Sequence, residues 1–239
     1  LTDCDRVLVS GVTIQNSPKF HLIPTRCTNV VVDGVTIRCP WNAQNGDALD
    51  ISCCKNVLIV NNTIDAGDDG ICMKGGAGKK AAPDGPCENI LIENNTVYHA
   101  HGGFVIGSEF SNGMKNIVVR KNRFSGTDTG LRFKSGIGRG GKTEAIHISD
   151  IVMNDITDEA IVIQCDYVDR PAGHDASKEK KAEKLEFVPE FTDININNVV
   201  CYGAATAIKA KGIEGLNCIH GISISNSTFS YTQEGVDVD

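Results

Sequence analysis

Several absences narrow what this sequence can encode. No apolar run among the 239 residues approaches the roughly 18 needed to cross a bilayer as a helix. The opening residues, LTDCDRVLVS, contain no basic segment, no long apolar segment and no initiating Met, so a removed leader or a longer parent chain is expected. Positive charge is not in excess: 23 Lys and Arg against 30 Asp and Glu give −7, which argues against a general nucleic-acid binder. So modest an imbalance still allows a local basic patch for an acidic ligand. Aromatic residues are scarce at 5%, with a single Trp. No convincing helical period appears between Leu1 and Cys165. Cysteine is plentiful, ten in all, yet none has a CxxC or Cys/His spacing suited to zinc. Cys53, Cys54, Cys72, Cys165 and Cys201 lie in or beside strand-like runs, where small buried core residues are expected. Cys4, Cys27, Cys87 and Cys218 are candidates for one or two disulfides, and cysteine usage does not reveal the compartment.

What is present is a repeat. The segments DRVLVSGVTI, TNVVVDGVTI, KNVLIVNNTI, ENILIENNTV, KNIVVRKNRF, EAIHISDIVM, TDININNVVC and HGISISNSTF align with one another. Their anchors are Asn29, Asn56, Asn89, Asn116, Ala145, Asp193 and Gly221. Successive anchors recur roughly every 30 residues, a period typical of solenoids, with one longer gap between Ala145 and Asp193. Between them run short alternating strands: ALDIS, GICMK, FVIGS, GLRFKS, AIVIQ, AIKAK and GVDVD. Several strands per repeat, punctuated by Gly and Asn, predict an all-β right-handed parallel β-helix of about eight coils. A sandwich would show hairpin turns and a strand about every 8–12 residues, and leucine-rich repeats would need a leucine scaffold that is absent. Asn62, Asn95, Asn122 and Asn198 recur near one place in the repeat, and stacked about 4.8 Å apart they should form an amide ladder. The whole chain, 1–239, is read as one β-helix domain, with residues 169–190 an inserted charged loop that accounts for the longer gap. Both ends fall in repeat strands without an amphipathic cap, so further coils or caps of a longer protein are expected.

The chemistry-bearing residues follow from that stacking. Asp47 in NGDALDIS and Asp68 in DAGDDGICMK precede corresponding strands, so they should sit one coil apart on one face, with Asp69 beside them. The same place on the next coil holds His101. One coil further, Leu131 and Phe133 alternate inward, which should turn Arg132 and Lys134 outward onto the same exposed strip. Asp-Gly alone is turn chemistry, and His101 or the Arg/Lys pair alone would read as an ordinary turn or solvated face. Four coils in register point to a site.

Here the residues resemble a known family. NGD, GDD, HG followed by IGSE, and RFK resemble the Asn-Thr-Asp, Gly-Asp-Asp, Gly-His-Gly and Arg-Ile-Lys motifs of the polygalacturonases, glycoside hydrolase family 28. The likeness runs from about residue 10 to residue 167 and includes NSPKF, GRGG and NDITDEAIVIQCDY. Gly46, Gly70, Ala100 and Phe133 depart from the usual motif residues. The resemblance implies cleavage of α-1,4-galacturonosidic bonds in pectin-type polymers by an extracellular or periplasmic enzyme, with no cofactor or metal. It makes Asp68 the acid, with Asp47 and Asp69 holding and activating water and His101 tuning or relaying the proton. Arg132 and Lys134, with Asn45 of the first motif and Tyr167, would bind the acidic polysaccharide or oligogalacturonide.

Two carboxyl groups about 6.5–9.5 Å apart leave room for a water and invert the anomeric carbon. Charges about 5 Å apart at an effective dielectric near 20 repel by roughly 3 kcal/mol, about two pKa units, so one acid can keep its proton. A calcium-dependent pectate lyase is one rival, recognisable by unsaturated product. A non-catalytic polysaccharide-binding β-helix is the other, recognisable by the absence of reducing-end release. The spacing from Asn56 to Asn89 is longer than its neighbours, and the extra chain, GGAGKKAAPDGP, falls just after the paired acids. There it should wall the cleft together with residues 169–190. Lys79 and Lys80 are then candidates for a terminal sugar's carboxylate, and exo-action is favoured.

Overall fold

The computed structural model describes residues 1–168 and 185–239. Most of the predicted 169–190 insertion therefore lies outside the described residues. Among those described, every strand-to-strand ladder is parallel and joins one coil to the next. Parallel neighbours linked by crossovers coil right-handedly, and the result is a right-handed parallel β-helix.

Each coil contributes to three faces. The first is formed by Asp5–Ser10, Thr28–Asp33, Lys55–Val60, Cys87–Glu93, Met114–Arg120 and the starts of Thr143–Asn154 and Ile194–Lys211, and it closes with Ile222–Ser225. That makes eight coils. The second consists of the short strands Thr13–Gln15, Thr36–Arg38, Thr63–Asp65, Thr96–Tyr98 and Arg123–Ser125, continued by later portions of the long strands. The third, which carries the site, runs through Leu49–Ser52, Asp69–Lys74, Gly102–Gly107, Leu131–Lys134 and Glu159–Gln164 to the end of Ile194–Lys211.

Alternation decides which side chains are inside. On the first face Val30, Val57, Ile90, Ile117, Ile146 and Ile194 stack as one buried row. On the third, Leu49, Ile71, Phe104, Leu131 and Ile161 form another. β-Branched residues one strand spacing apart fill such a core without gaps, which is why the repeat is rich in Ile and Val.

The corners explain the asparagines. Asn29, Asn56, Asn89 and Asn116 all have φ between 53° and 58°, a left-handed conformation that Asn tolerates better than most residues. Their amides bond from coil to coil, Asn56 donating to Asn29 at 3.1 Å and Asn116 to Asn89 at 2.8 Å. A second, interior ladder consists of Asn62, Asn95 and Asn122, with amide-to-amide bonds of 2.8 and 2.9 Å. Each member also donates to a strand carbonyl, to Val32, Ile59 and Ile92 respectively, so no buried amide is stranded. Asn198 does not belong to it. It lies on an exposed row at φ 55° and donates to Asp150 at 2.7 Å, in register with Asn61, Asn94 and Lys121 at the left-handed corner, while Val199 takes the interior place. The ten cysteines are all free, and nine are buried. Small core thiols is thus the correct reading, and the candidate disulfides at Cys4, Cys27, Cys87 and Cys218 are not formed.

Candidate active site

The third face sets the register of the acids. Leu49 pairs with Ile71, and the amide of Ala48 donates to the Asp69 carbonyl at 3.0 Å, so Asp47 lies across from Asp69. This corrects the expectation that Asp47 and Asp68 are equivalent positions. The coil that starts at Asp47 closes one position later than the motif spacing implies. Asp68 aligns instead with His101, whose amide donates to the Asp68 carbonyl at 2.8 Å. One carboxylate oxygen from each of Asp47, Asp68 and Asp69 lies within 4.8 Å of the others. Such a cluster has the donor type for a hard cation, but the ammonium of Lys134 already occupies the Asp69 side of it.

Lys134 is not on an exposed strip. Its side chain is only 8% exposed, and its ammonium lies 2.8 and 3.1 Å from the two oxygens of Asp69, which is itself buried. The lysine faces outward from the barrel but is roofed by Tyr167, whose ring centre is 5.3 Å from the ammonium and 6.0 Å from the Arg132 guanidinium. Arg132 stands 3.6 Å from Asp69, bonds the His101 carbonyl at 3.4 Å, and keeps part of its guanidinium accessible. Asn45 is the predicted residue the structure does not bring in. It sits exposed at a left-handed turn, φ 53°, where its carbonyl accepts from the Phe20 amide.

The three acids occupy different electrostatic environments. Burial would raise Asp69, but Lys134, Lys74 and Arg132 together outweigh it and hold this carboxyl far below the usual range. At Asp47 burial, then the charges of Asp50, Asp69 and Asp68, outweigh Lys74 and push it up to about 8. Asp68 is the more accessible of the paired acids, its side chain 18% exposed. Its Oδ1 receives the Asp69 amide at 2.9 Å and lies 3.1 Å from His101 Nδ1. That hydrogen bond is the main reason the imidazole is raised above its ordinary pKa, helped by the charges of Asp68, Asp128 and Asp69.

Sequence reasoning missed four neighbours. Asp128 is the coil-to-coil successor of His101, 3.9 Å from its Nε2, and would follow from the coil period. Asp50 and Lys74 face outward on the catalytic strands, and burial pushes Asp50 up to about 6, opposed by Lys74. Glu109 lies 3.6 Å from Lys74 and 3.7 Å from Arg139. Alternation within ALDIS and GICMK marks Asp50 and Lys74 as outward-facing, though not as members of the site.

A raised carboxyl has a consequence for stability. The folded protein keeps a proton on Asp47 that the unfolded chain releases from about pH 4 upward. That group's contribution is therefore complete in acid and is lost as pH rises towards 8. The wild-type melting temperature should fall between about pH 5 and pH 8, and Asp47→Asn should fall less. Asp69 acts in the opposite sense and only at acid pH, below its unfolded value, so it does not mask the effect. Parallel melting curves of the two proteins across this range check it; identical slopes would show that Asp47 is ionised throughout.

Comparison with known proteins agrees with the geometry. The exo-poly-α-D-galacturonosidase of Dickeya chrysanthemi is 28% identical over 207 residues, covering 87% of this chain and 33% of that protein. An endo-polygalacturonase of Pectobacterium carotovorum is also 28% identical, covering 87% of this chain and 44% of that protein. The crystal structure of an exopolygalacturonase from Thermotoga maritima superposes with a TM-score of 0.78 at 30% identity, covering 99% of this chain and 53% of the other. The chain thus spans between a third and about half of the length of these relatives. The family model of glycosyl hydrolases family 28 matches residues 1–235, and the chain belongs to that family.

Proposed function

We propose that this protein hydrolyses α-1,4-galacturonosidic bonds of polygalacturonate or its oligosaccharides, with inversion. The observation that carries this is one cluster of three carboxylates in which Asp69 is buried and held ionised by Lys134, Lys74 and Arg132, while Asp68 stays accessible beside His101. Two acids in such different environments are what acid–base hydrolysis of a glycoside requires.

Asp68 is the general acid. It is the accessible member, and with Oδ1 held by His101 and the Asp69 amide, its other oxygen is left for the departing glycosidic oxygen. Asp69 and Asp47 hold the attacking water, and Asp69 takes its proton. Two hydrogen bonds of about 2.8 Å meeting at one water span roughly the separation of their oxygens. Asp68 lies within the same 4.8 Å of both, closer than the roughly 6.5–9.5 Å expected above for an inverting pair, so inversion rests on a water gripped by two acids on one side of the bond and not on carboxylate separation. Arg132 receives the uronate carboxylate, since a guanidinium fork matches that anion. It lines a cavity of about 450 Å³ that extends from His101 past Gln164 to Lys211. Lys134 serves the reaction by setting the charge of Asp69, and Tyr167 covers both cations. Action on a cell-wall polymer implies a secreted or periplasmic location.

The exo mode rests on the loop expected to wall the cleft. The loop after the Asp69–Lys74 strand includes a 3₁₀ turn, Lys79–Asp84. It is tied to the next coil by Gly78 N–H to Ser111 Oγ at 2.8 Å and Asn112 to the Ala81 carbonyl at 2.6 Å. Lys79 pairs with Glu186 at 3.2 Å and so joins this loop to the far end of the insertion. Early products of polygalacturonate digestion should be galacturonate monomers with slow viscosity loss, released initially as the β-anomer by NMR. A spread of oligomers with rapid viscosity loss overturns exo-action, retained α-anomer overturns inversion, and no reducing-end release overturns the function.

A further inference from the structure

Trp41 is the most exposed large apolar side chain of the described residues, 71% accessible, and it is the single Trp among the 239 residues. An indole left in water forgoes one of the largest apolar burials a side chain can make. Its position is held firmly. The turn carrying it closes with Ala43 N–H to the Pro40 carbonyl at 2.9 Å and Gly46 N–H to the Ala43 carbonyl at 3.1 Å. The turn then lies flat on Gly67, the residue just before the paired acids, where a Cβ would meet the Pro40 carbonyl oxygen at 2.5 Å and that of Ala43 at 2.7 Å. Gly46, which stands where the family usually has Thr, is equally constrained, since a Cβ there would lie 2.6 Å from Cys39 Sγ. Two glycines thus bring this turn against the catalytic coil.

Trp41 lines a groove of about 580 Å³ together with Gly67, His99, His101, Gly126 and Asp128. His101 and Asp128 also line the 450 Å³ cavity that contains Arg132. The two hollows therefore meet at His101, the partner of Asp68, one holding Arg132, Lys209 and Lys211 among carboxylates and the other faced by an indole. Other highly exposed apolar residues, such as Leu8 and Val238, line neither hollow. Among the described residues, Trp41 alone joins exposure to the site.

We propose that Trp41 is the platform of a sugar subsite, its indole face stacking on a galacturonate ring of the substrate chain on the far side of the acid cluster from Arg132. A galacto-configured ring has an axial hydroxyl, which leaves ring C–H groups together on one face, and that apolar face suits an aromatic plane. The inference rests on the polygalacturonase reading and adds a subsite that recognises ring shape rather than charge.

The test is binding of tetragalacturonate to the Asp68→Asn protein by calorimetry and tryptophan fluorescence. The Asp68→Asn protein should show a change in Trp41 fluorescence on binding, adding Trp41→Ala should weaken binding about tenfold, roughly 1.4 kcal/mol, and Trp41→Phe should retain most of the affinity. The loss should be the same at low and high salt, because stacking is not screened, whereas the loss from Arg132→Ala should shrink with salt. Unchanged affinity in Trp41→Ala overturns the platform and leaves the function standing. No binding of tetragalacturonate to the Asp68→Asn parent overturns both.

Discussion

Asp68→Asn is expected to lower turnover on polygalacturonate by about 10²–10⁴-fold while leaving the fold intact, the range typical of a lost general acid. The fold should survive because Asn keeps an Oδ1 that can accept from the Asp69 amide and from His101, the two contacts Asp68 makes. What Asn cannot do is give a proton to the departing oxygen. A substrate whose leaving group needs no proton, such as a nitrophenyl galacturonoside, should therefore lose far less than the polymer does. That contrast separates proton donation from mere charge in the cleft. Equal losses on both substrates would remove Asp68 from the acid role, and activity within threefold of wild type would remove it from the mechanism.

Lys134→Ala should be the most destabilising change in the site. Asp69 is 1% exposed, and Lys134 supplies its closest counter-charge at 2.8 Å. Breaking a buried pair from one side leaves an uncompensated charge and costs about 3–5 kcal/mol. Arg132, 3.6 Å from Asp69, and Lys74 offset the loss only in part, since neither donates a hydrogen bond to that carboxylate. The carboxyl of Asp69 should then rise towards ordinary values or above, and activity should be lost as the mutant is acidified. Adding Asp69→Asn to Lys134→Ala should recover much of the stability and none of the activity. Denaturant unfolding of the two single mutants and the double measures this as a coupling energy. Simple additivity would mean that Lys134 and Asp69 do not depend on each other. Arg132→Ala provides the contrast, since its partly accessible guanidinium should affect oligogalacturonate binding more than folding.

The division between sequence and structure follows from how far each interaction reaches along the chain. The β-helix was legible because its causes are local: alternating Val and Ile fill the interior, and Asn or Gly takes the left-handed corner once per coil. The family motifs were legible for the same reason, as short runs at the starts of strands, and they named Asp47, Asp68, Asp69, His101, Arg132 and Lys134 without coordinates. Register was not legible. The short coil from Leu49 to Ile71 and the long one from Ile71 to Phe104 close onto the same sheet, and only the packed chain shows where the slack is taken up. That slack sets Asp47 against Asp69, whereas Asn198 keeps the register of Asp150 and so belongs to the outer row. Charge environment was hidden too, because burial and cation distance are properties of folded space. Lys134 alternates outward like Arg132, yet Tyr167, a full coil further along the chain, covers it and turns it towards Asp69. The sequence by itself determined the coil, the face and the candidate residues; only the tertiary structure decided which acid is held ionised, because that depends on which carboxyl the cations touch.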